Sequence, residues 1–317
     1  MIRIAIPTRR QVTELLVRPL PFGGNRPLPL RDPTPDPGLF GPESVTWRVM
    51  HEPLLILGGG RALLMQAANP LVAQGAIDFS AYADDPFGRL MRTIRWVTMV
   101  TYGTRAEAEA ASALVDRMHT RVSGTLPLPH ATTVQRAGTG YTALDGELLR
   151  WVHASFVDTM LTTHDALVGG LTTADRDRFV REWDAVADLM RVPPRLLWKT
   201  HRALRTYVDR QVARGVAVPG AGSRLVSQTV LRPPLPSPWL RPGWEVVAFT
   251  TVGLLPAAVR RGYGITWTPA HSAAHAALCL TLRRARPLLP HRLLVSPVHE
   301  LAVARVEGRM AAPGQVA

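Results

Sequence analysis

The chain contains one histidine whose surroundings suit ligand chemistry. His119 lies among apolar neighbours at helical spacing, with Val115, Met118 and Val122 around it. An imidazole on an apolar helix face can serve as an axial ligand of haem iron. It can equally be a hydrogen-bonded core side chain. The residue types alone leave both interpretations open.

Two further histidines lie on one predicted helix. His153 and His164 are separated by about three helical turns, so they share a face. The sequence contains neither an HExxH motif nor an H-x-H cluster. The histidine spacing therefore argues against a classical zinc hydrolase site.

A basic and polar cluster lies upstream of these histidines. Arg89, Arg92, Thr93 and Trp96 fall on one face of a predicted helix. In a pocket, two guanidiniums and a hydroxyl could hold a carboxylate or an activated oxygen species. On a surface, the same residues form an ordinary solvated face. The sequence does not choose between the two.

Two other motifs are weaker. Gly58–Gly59–Gly60 precedes a helix and could offer backbone N–H groups to a phosphate. However, no P-loop Lys-Ser/Thr follows it and no GxGxxG motif surrounds it. We interpret these glycines as a flexible start of a helix that permits close packing. Cys279 lies in an apolar helix and is interpreted as inert packing.

The elements that must position these residues are predicted to be helices. Thr104 with Glu107 forms a capping box, and the helix after it continues to Val122. Thr142 and Asp145 are predicted to form a similar cap at the start of a second helix, over residues 146–167. The remaining predicted helices cover residues 60–68, 86–102, 196–213, 244–255 and 270–285, and one from the Thr172–Asp175 capping box to the Pro193–Pro194 break.

The predicted fold class is all-α, a single mostly helical domain with a proline-rich N-terminal arm. Closely spaced prolines from Pro19 to Pro37 preclude a helix or a central strand there. We assign residues 1–42 to the arm and residues 43–317 to the helical domain. Residues 231–243 are predicted to form a second proline-rich segment that is not helical.

Composition narrows the functional classes. The 317 residues carry a formal net charge of +13 and one cysteine, which excludes a disulfide framework. Lys199 is the only lysine, and the arginines recur throughout the chain without a finger or RNP-like signature. We therefore expect no nucleic-acid partner. No window reaches about 18 uninterrupted apolar residues, and no signal peptide is recognisable. We expect a cytoplasmic protein, with peripheral membrane contact as the alternative.

Four segments together resemble one protein family. They are MQAANPLVAQGAIDFSAYADDPFGRLMRT (65–93), VDRMHTRVSG (115–124), YTALDGELLRWVHASFVDT (141–159) and TVGLLPAAVRRGYGITWTP (251–269). Their order is similar to that of the haem-dependent oxygenase family that includes latex-clearing proteins and the MpaB-type oxygenases. The resemblance covers roughly residues 43–270.

The resemblance implies a mostly α-helical fold that holds one haem b, with its iron bound by an axial histidine. His119, in the segment RMHTRV, would be the proximal iron ligand, and Arg117 beside it would belong to the cofactor-binding residues. His153, in WVHASF, would lie near the haem and is the second choice of ligand.

Arg89 and Thr93, in RLMRT, would lie on the distal side and act on bound dioxygen. Latex-clearing proteins have a lysine where this chain has Arg92, which we count with the catalytic candidates. An arginine is too bulky and too basic to copy a reversible lysine ligand. The His-Pro and His-Ser of the family are Asn69–Pro70 and Phe79–Ser80 here. No residue matches the carboxylate of rubber cleavage, so polymer cleavage is not expected.

The implied function is an oxygenase that uses dioxygen to oxidise or cleave an alkene or activated carbon. Its substrate would be an apolar small molecule of terpenoid or polyketide type, in natural-product tailoring, in a pocket lined by Leu90, Phe156 and Met160. Two alternatives remain: a haem protein with dehydrogenation, rearrangement or peroxidase-like chemistry, and a non-catalytic helical binding protein. Participation of a separate electron donor is left open.

Overall fold

The computed structural model describes residues 30, 32–80, 86–235, 237–290 and 294–310, apart from the side chains of residues 86 and 87. The described chain is mostly α-helical and contains a small two-stranded sheet. This confirms the predicted all-α class. Residues 1–29 and 31, which make up most of the predicted arm, lie outside the described residues.

The elements follow one another with short connections. The α-helices are α1 (Val45–Met50), α2 (Gly59–Ala67), α3 (Pro70–Phe79), α4 (Pro86–Tyr102), α5 (Arg105–His119), α6 (Gly146–Leu167), α7 (Thr173–Glu182), α8 (Asp184–Leu189), α9 (His201–Ala213), α10 (Ala221–Leu231), α11 (Arg241–Leu254), α12 (Ala257–Gly262), α13 (Pro269–Ala285) and α14 (Pro297–Val306). Short 3₁₀ helices cover Pro53–Gly58, Leu128–His130, Pro194–Leu196, Pro238–Leu240 and Arg286–Leu288. The strands are β1 (Ser123–Thr125) and β2 (Gly140–Thr142), which pair antiparallel.

Two helices begin at the capping boxes that the sequence predicts. At α5, the Thr104 hydroxyl accepts from the backbone N–H of Glu107, whose carboxylate accepts from the N–H of Thr104. Thr172 and Asp175 make the same reciprocal pair at α7. Each box satisfies two backbone donors that the first turn of a helix leaves without partners.

The predicted start of α6 is only half right. Asp145 caps this helix by accepting from the backbone N–H groups of Glu147 and Leu148. Thr142 does not take part in the cap, because it is the last residue of β2 and its hydroxyl accepts from Leu144.

The prediction that α5 continues to Val122 is wrong. The helix ends at His119, because the chain then turns into the β1–β2 hairpin, which the sequence analysis did not predict. The carbonyl of Val122 accepts from the N–H of Ala143 on the far side of that hairpin. His119 is therefore a terminal helical residue rather than an interior one.

Other boundaries also differ from prediction. Trp183 separates α7 from α8, and the helix predicted over 196–213 begins at His201. The segment 231–243 contains a 3₁₀ turn and the first residues of α11. Pro70 does end α2, as predicted, but it also begins α3 in the first-turn position, with Asn69 as the cap.

Helix α6 is the centre of the core. It packs against α1, α2, α9, α13 and the Pro53–Gly58 3₁₀ helix. Its buried residues occur on nearly every side, which is typical of a helix surrounded by other helices. They include Leu149, Trp151, Ala154, Val157, Asp158, Met160, Leu161 and Leu167.

A buried ion pair joins α2 to α6. Arg61 is 1% exposed and Asp158 is fully buried. The Arg61 guanidinium donates to the Asp158 carboxylate at 2.7 Å, to the Thr159 hydroxyl at 2.5 Å and to the carbonyl of Leu254 at 2.9 Å. Arg205 donates to the other carboxylate oxygen at 2.9 Å. Burial favours a higher pKa for Asp158, but the two guanidiniums outweigh it and lower the pKa.

We predict that Arg61→Met strongly destabilises the fold. The substitution keeps most of the apolar volume but leaves the Asp158 carboxylate with one partner in the interior. The free energy of unfolding should fall by about 3–5 kcal/mol, measured by urea denaturation. Arg309→Met removes an exposed ion pair with Glu307 and should leave the urea midpoint nearly unchanged. Equal midpoints for the two variants would contradict the importance of the buried pair.

Candidate active site

A large cavity of about 380 Å³ lies between α2, α4, α6, α10 and α11. This volume is in the range of small-molecule binding sites. Most of its lining is apolar, and it includes all three residues that were expected to surround the substrate, Leu90, Phe156 and Met160. Among the described lining residues, Arg89 and Glu52 carry the charges and no histidine is present.

Helix α4 forms one long wall of this cavity. Residues at intervals of three and four line it, from Arg89 and Thr93 through Val97 to Thr101 and Tyr102. Thirteen residues separate the first from the last, so the wall is about 20 Å long at 1.5 Å per residue. The cavity is therefore elongated along α4.

The two ends of this wall differ in exposure. Thr93 is exposed and Arg89 is partly exposed, whereas Glu52, Thr101 and Tyr102 are buried. The α4 wall is thus exposed at its Arg89–Thr93 end and buried at its Tyr102 end. A hydrogen bond of 3.1 Å from the Thr93 hydroxyl to the Arg89 carbonyl fixes that hydroxyl on the helix.

His119 lines a different and much smaller cavity. That cavity measures about 20 Å³ and is bounded by Trp96 of α4, Asp116 of α5 and Met190, among others. Burial lowers the pKa of His119, and the nearby Asp116 carboxylate only partly opposes this. Its imidazole is consequently neutral at pH 7 and able to donate a lone pair to a metal.

The residues predicted to share one face of α4 do not line the same cavity. Arg89 and Thr93 line the large cavity, while Trp96 lines the cavity of His119 and donates to the Ser112 hydroxyl at 3.1 Å. The side chain of Arg92 is exposed. Helix α4 is thus a wall between two cavities, and the expected cluster does not converge on one point.

The remaining predicted cofactor residues lie apart from both cavities. Arg117 is exposed on α5. His153 is buried against aromatic rings, parallel to Trp198 at 6.4 Å between centroids and tilted against Trp183 at 6.5 Å. Desolvation lowers the pKa of His153 to about 4. These surroundings are those of a neutral core histidine.

The buried end of the large cavity was missed by the sequence analysis. Glu52 lies there, held by Arg286 of the distant Arg286–Leu288 3₁₀ helix. A glutamate followed by Pro53 in an otherwise apolar stretch was the available signal. Its partner could not be inferred, because the two residues are far apart in the chain.

The fit of a haem group to these residues can be judged from the two cavities. His119 has suitable chemistry, since it is neutral and borders a cavity, but that cavity has room for about one water molecule. The large cavity has more space but, among its described lining residues, no histidine. The described arrangement therefore does not fit a haem with His119 on one side and both Arg89 and Thr93 on the other.

Comparison with protein-family models identifies the catalytic domain described as "ER-bound oxygenase mpaB/B'/Rubber oxygenase, catalytic domain", which matches residues 47–284. The chain belongs to this family. The match extends from α1 to α13, so the mpaB/rubber oxygenase domain includes the buried ion pair, the small cavity and all of the large cavity's described lining except Ser296 and Val298. Neither the curated proteins nor the solved structures contain a significant match to the chain.

Membership of the mpaB/rubber oxygenase family makes the chain an enzyme with an oxygenase-type catalytic domain. Within the described ranges, no helix is long and apolar enough to cross a membrane. The same part of the chain contains no group of three or more His, Cys, Asp or Glu side chains that could hold a metal ion.

Two of the three glycines at the start of α2 pack closely, as interpreted from the sequence. A Cβ on Gly58 would lie 2.3 Å from the Thr163 hydroxyl oxygen, and one on Gly60 would lie 2.3 Å from that of Thr251. A Cβ on Gly59 would meet nothing within 4 Å. Two of the three glycines thus let α2 approach α6 and α11.

We predict opposite effects of two neighbouring alanine substitutions. Gly60→Ala should destabilise the protein by about 1–3 kcal/mol, because the added methyl group collides with Thr251. Gly59→Ala should leave stability unchanged or raise it by up to about 1 kcal/mol, since alanine favours the helix and has space. Thermal denaturation of both variants measures the difference. Equal melting temperatures would contradict the close approach of α2 to α11.

Proposed function

We propose that this enzyme oxidises an alkene or activated carbon of an apolar small molecule bound in the large cavity. One observation carries the proposal: an apolar cavity bordered by Arg89 and Thr93 lies inside a domain of the oxygenase family. Terpenoids and polyketides are the expected substrate class. A role in natural-product tailoring follows from the resemblance alone.

The cavity walls would bind and desolvate the substrate. Leu90, Ile94 and Val97 of α4 and Phe156 and Met160 of α6 line the cavity. Removing apolar surface from water stabilises the complex by roughly 25 cal/mol per Å². Excluding water also strengthens electrostatic interactions at the reacting carbon.

Arg89 and Thr93 would act where oxygen reacts with the substrate. A guanidinium and a hydroxyl can both donate hydrogen bonds to oxygen atoms that gain negative charge. Their position at the exposed end of the α4 wall would allow dioxygen to reach them while the apolar substrate lies against the buried part of the wall. These roles do not depend on which cofactor activates the oxygen.

The cofactor is a separate proposal. The resemblance implies haem b bound by His119, and the neutral imidazole beside a cavity supports that choice of ligand. The small volume of that cavity opposes it, because a porphyrin on His119 needs more space. Dioxygen is the proposed oxidant.

A visible spectrum tests the cofactor proposal. We predict a Soret band for the purified or haem-reconstituted protein that shifts on dithionite reduction and again with carbon monoxide. His119→Ala should abolish stoichiometric haem retention, and His153→Ala should retain more haem. The exposed His271→Ala is the matched control and should bind as the unmodified protein does.

Two spectral results would contradict parts of this proposal. Greater haem loss in His153→Ala than in His119→Ala would make the ligand assignment wrong. A protein that stays colourless after reconstitution would exclude haem, but it would not contradict the proposal that the large cavity binds the substrate.

We predict that partly filling the cavity weakens substrate binding. Val97 lies midway along the α4 wall, so Val97→Trp should raise KM or the substrate Kd at least about tenfold, equivalent to about 1.4 kcal/mol. Leu114→Trp introduces the same ring at an exposed position of α5 and should keep normal turnover. Product formation and binding are compared at equal folded fraction. Unchanged affinity in Val97→Trp would show that the substrate binds elsewhere.

A further inference from the structure

The short 3₁₀ helix before α11 presents apolar side chains to solvent. Trp239 is the most exposed large hydrophobic side chain in the described part of the chain, at 89%. Leu240 beside it is 52% exposed, and all six residues from Pro238 to Gly243 are exposed. Leaving this much apolar surface in water is unfavourable, and a contiguous patch of this kind commonly marks a binding surface.

The chain around Trp239 is held in a fixed shape. Pro238 and Pro242, on either side of it, restrict the backbone φ angle. The indole N–H of Trp244 donates to the carbonyl of Leu231 at 3.1 Å, which ties the start of α11 to the end of α10. A segment that is ordered in advance loses little conformational entropy when it binds.

Positive charge accompanies these apolar side chains. Arg232 directly follows Leu231, Arg241 directly follows Leu240, and both arginines are exposed. From residue 232 to residue 246 the sequence contains one acidic residue, Glu245. Val246, on α11, adds a further apolar side chain that is 45% exposed. We call Arg232, Trp239, Leu240, Arg241 and Val246 the Trp239 surface.

The same segment of the chain also forms part of the large cavity. Pro233, which follows Arg232, lines the cavity. So do Trp244 and Val247, which lie in the first two turns of α11. Residues of the Trp239 surface therefore alternate along the chain with residues of the cavity wall.

The chemistry of the Trp239 surface favours a lipid bilayer over a protein partner. Two copies of the surface in a symmetric dimer would bring arginines of like charge together. A stable protein interface usually needs about 20–30 residues from each partner, far more than this surface offers. Tryptophan side chains favour the boundary between water and lipid, and arginines near it are attracted to anionic headgroups.

We propose that the Trp239 surface docks the protein on an anionic lipid bilayer. Trp239 and Leu240 insert at the headgroup level, and Arg232 and Arg241 bind anionic headgroups. Docking places the bilayer, in which apolar molecules dissolve, beside a wall of the large cavity. Docking of this kind goes beyond the proposed function, since it requires neither a cofactor nor turnover.

Co-sedimentation of the full-length protein with vesicles tests the docking. One set of vesicles contains phosphatidylcholine alone, and in the other about a third of the lipid is phosphatidylglycerol. The protein should bind the anionic vesicles at least about tenfold more tightly, and added salt should weaken this binding. Equal binding to both sets, or binding to neither, would overturn the proposal.

Two apolar substitutions and a matched control locate the contact. Trp239→Ala and Leu240→Ala should each raise the Kd for anionic vesicles at least about fivefold, because each removes an inserted side chain. Leu114 on α5 is 53% exposed, so Leu114→Ala removes an equally exposed leucine elsewhere and should leave the Kd unchanged. All three side chains are exposed, so the melting temperatures should stay nearly equal. Equal Kd values for Leu240→Ala and Leu114→Ala would overturn the proposal.

Charge substitutions separate local attraction from the net charge of +13. Arg241→Gln should weaken binding to anionic vesicles about fivefold, whereas Arg202→Gln, at an exposed position of α9, should have little effect. Glu245→Gln should strengthen binding, and Glu109→Gln on the exposed surface of α5 is its control. If each control changed the Kd as much as its partner, the net charge would explain the binding and the proposal would be wrong.

Sedimentation velocity tests a second copy of the chain as the other occupant of this surface. The protein should stay monomeric as its concentration rises in the absence of lipid. Self-association that Trp239→Ala abolishes, together with no binding to vesicles, would assign the Trp239 surface to a dimer and overturn the proposal.

Discussion

The buried pair of Arg61 and Asp158 is the constraint on which the architecture depends. It holds α2 against the central helix α6, and the third Arg61 bond reaches the carbonyl of Leu254 at the end of α11. Those three helices form much of the large cavity. A buried ion pair contributes little net stability compared with apolar packing, but breaking it leaves a charge in the interior. The ion pair therefore acts mainly on geometry. It holds in place the helices around the large cavity, which apolar packing alone would tend to close.

Helix α4 determines how that space can be used. One face borders the large cavity and a neighbouring face borders the small cavity of His119. Apolar side chains such as Val97 face a void rather than a neighbouring helix, which forfeits dispersion contacts. A bound apolar ligand would restore those contacts. The dispersion energy that is lost while the cavity is empty is therefore consistent with a cavity that binds a ligand.

Local signals in the sequence predicted much of the helical fold. The boxes at Thr104 and Thr172, and the full extent of α4 and α6, depend on neighbouring residues and were right. The hairpin after His119 was missed, because its strands are short and exposed and lack clear alternation. Arg89 and Thr93 share a cavity as expected from helical spacing. Their separation from His119 depends on how α4 and α5 pack, which periodicity cannot give.

The long-range partners were beyond sequence reasoning for a related reason. The pairs of Arg61 with Asp158 and of Glu52 with Arg286 join segments far apart in the chain. Only the folded chain shows which of many charged residues meet in the interior. The same holds for the hydroxyls of Thr101 and Tyr102, which are buried and have no hydrogen-bond partner in the part of the chain that the structure describes.

Photoaffinity labelling with a diazirine derivative of an apolar terpenoid alkene would test most directly whether the large cavity binds the substrate. Tandem mass spectrometry of the labelled protein identifies the modified residues. Labelling should concentrate on the cavity face of α4 and on Phe156 and Met160 of α6, and an excess of the underivatised terpenoid should compete it away. Labelling confined to exposed surface residues, or unaffected by the competitor, would contradict a substrate site in this cavity.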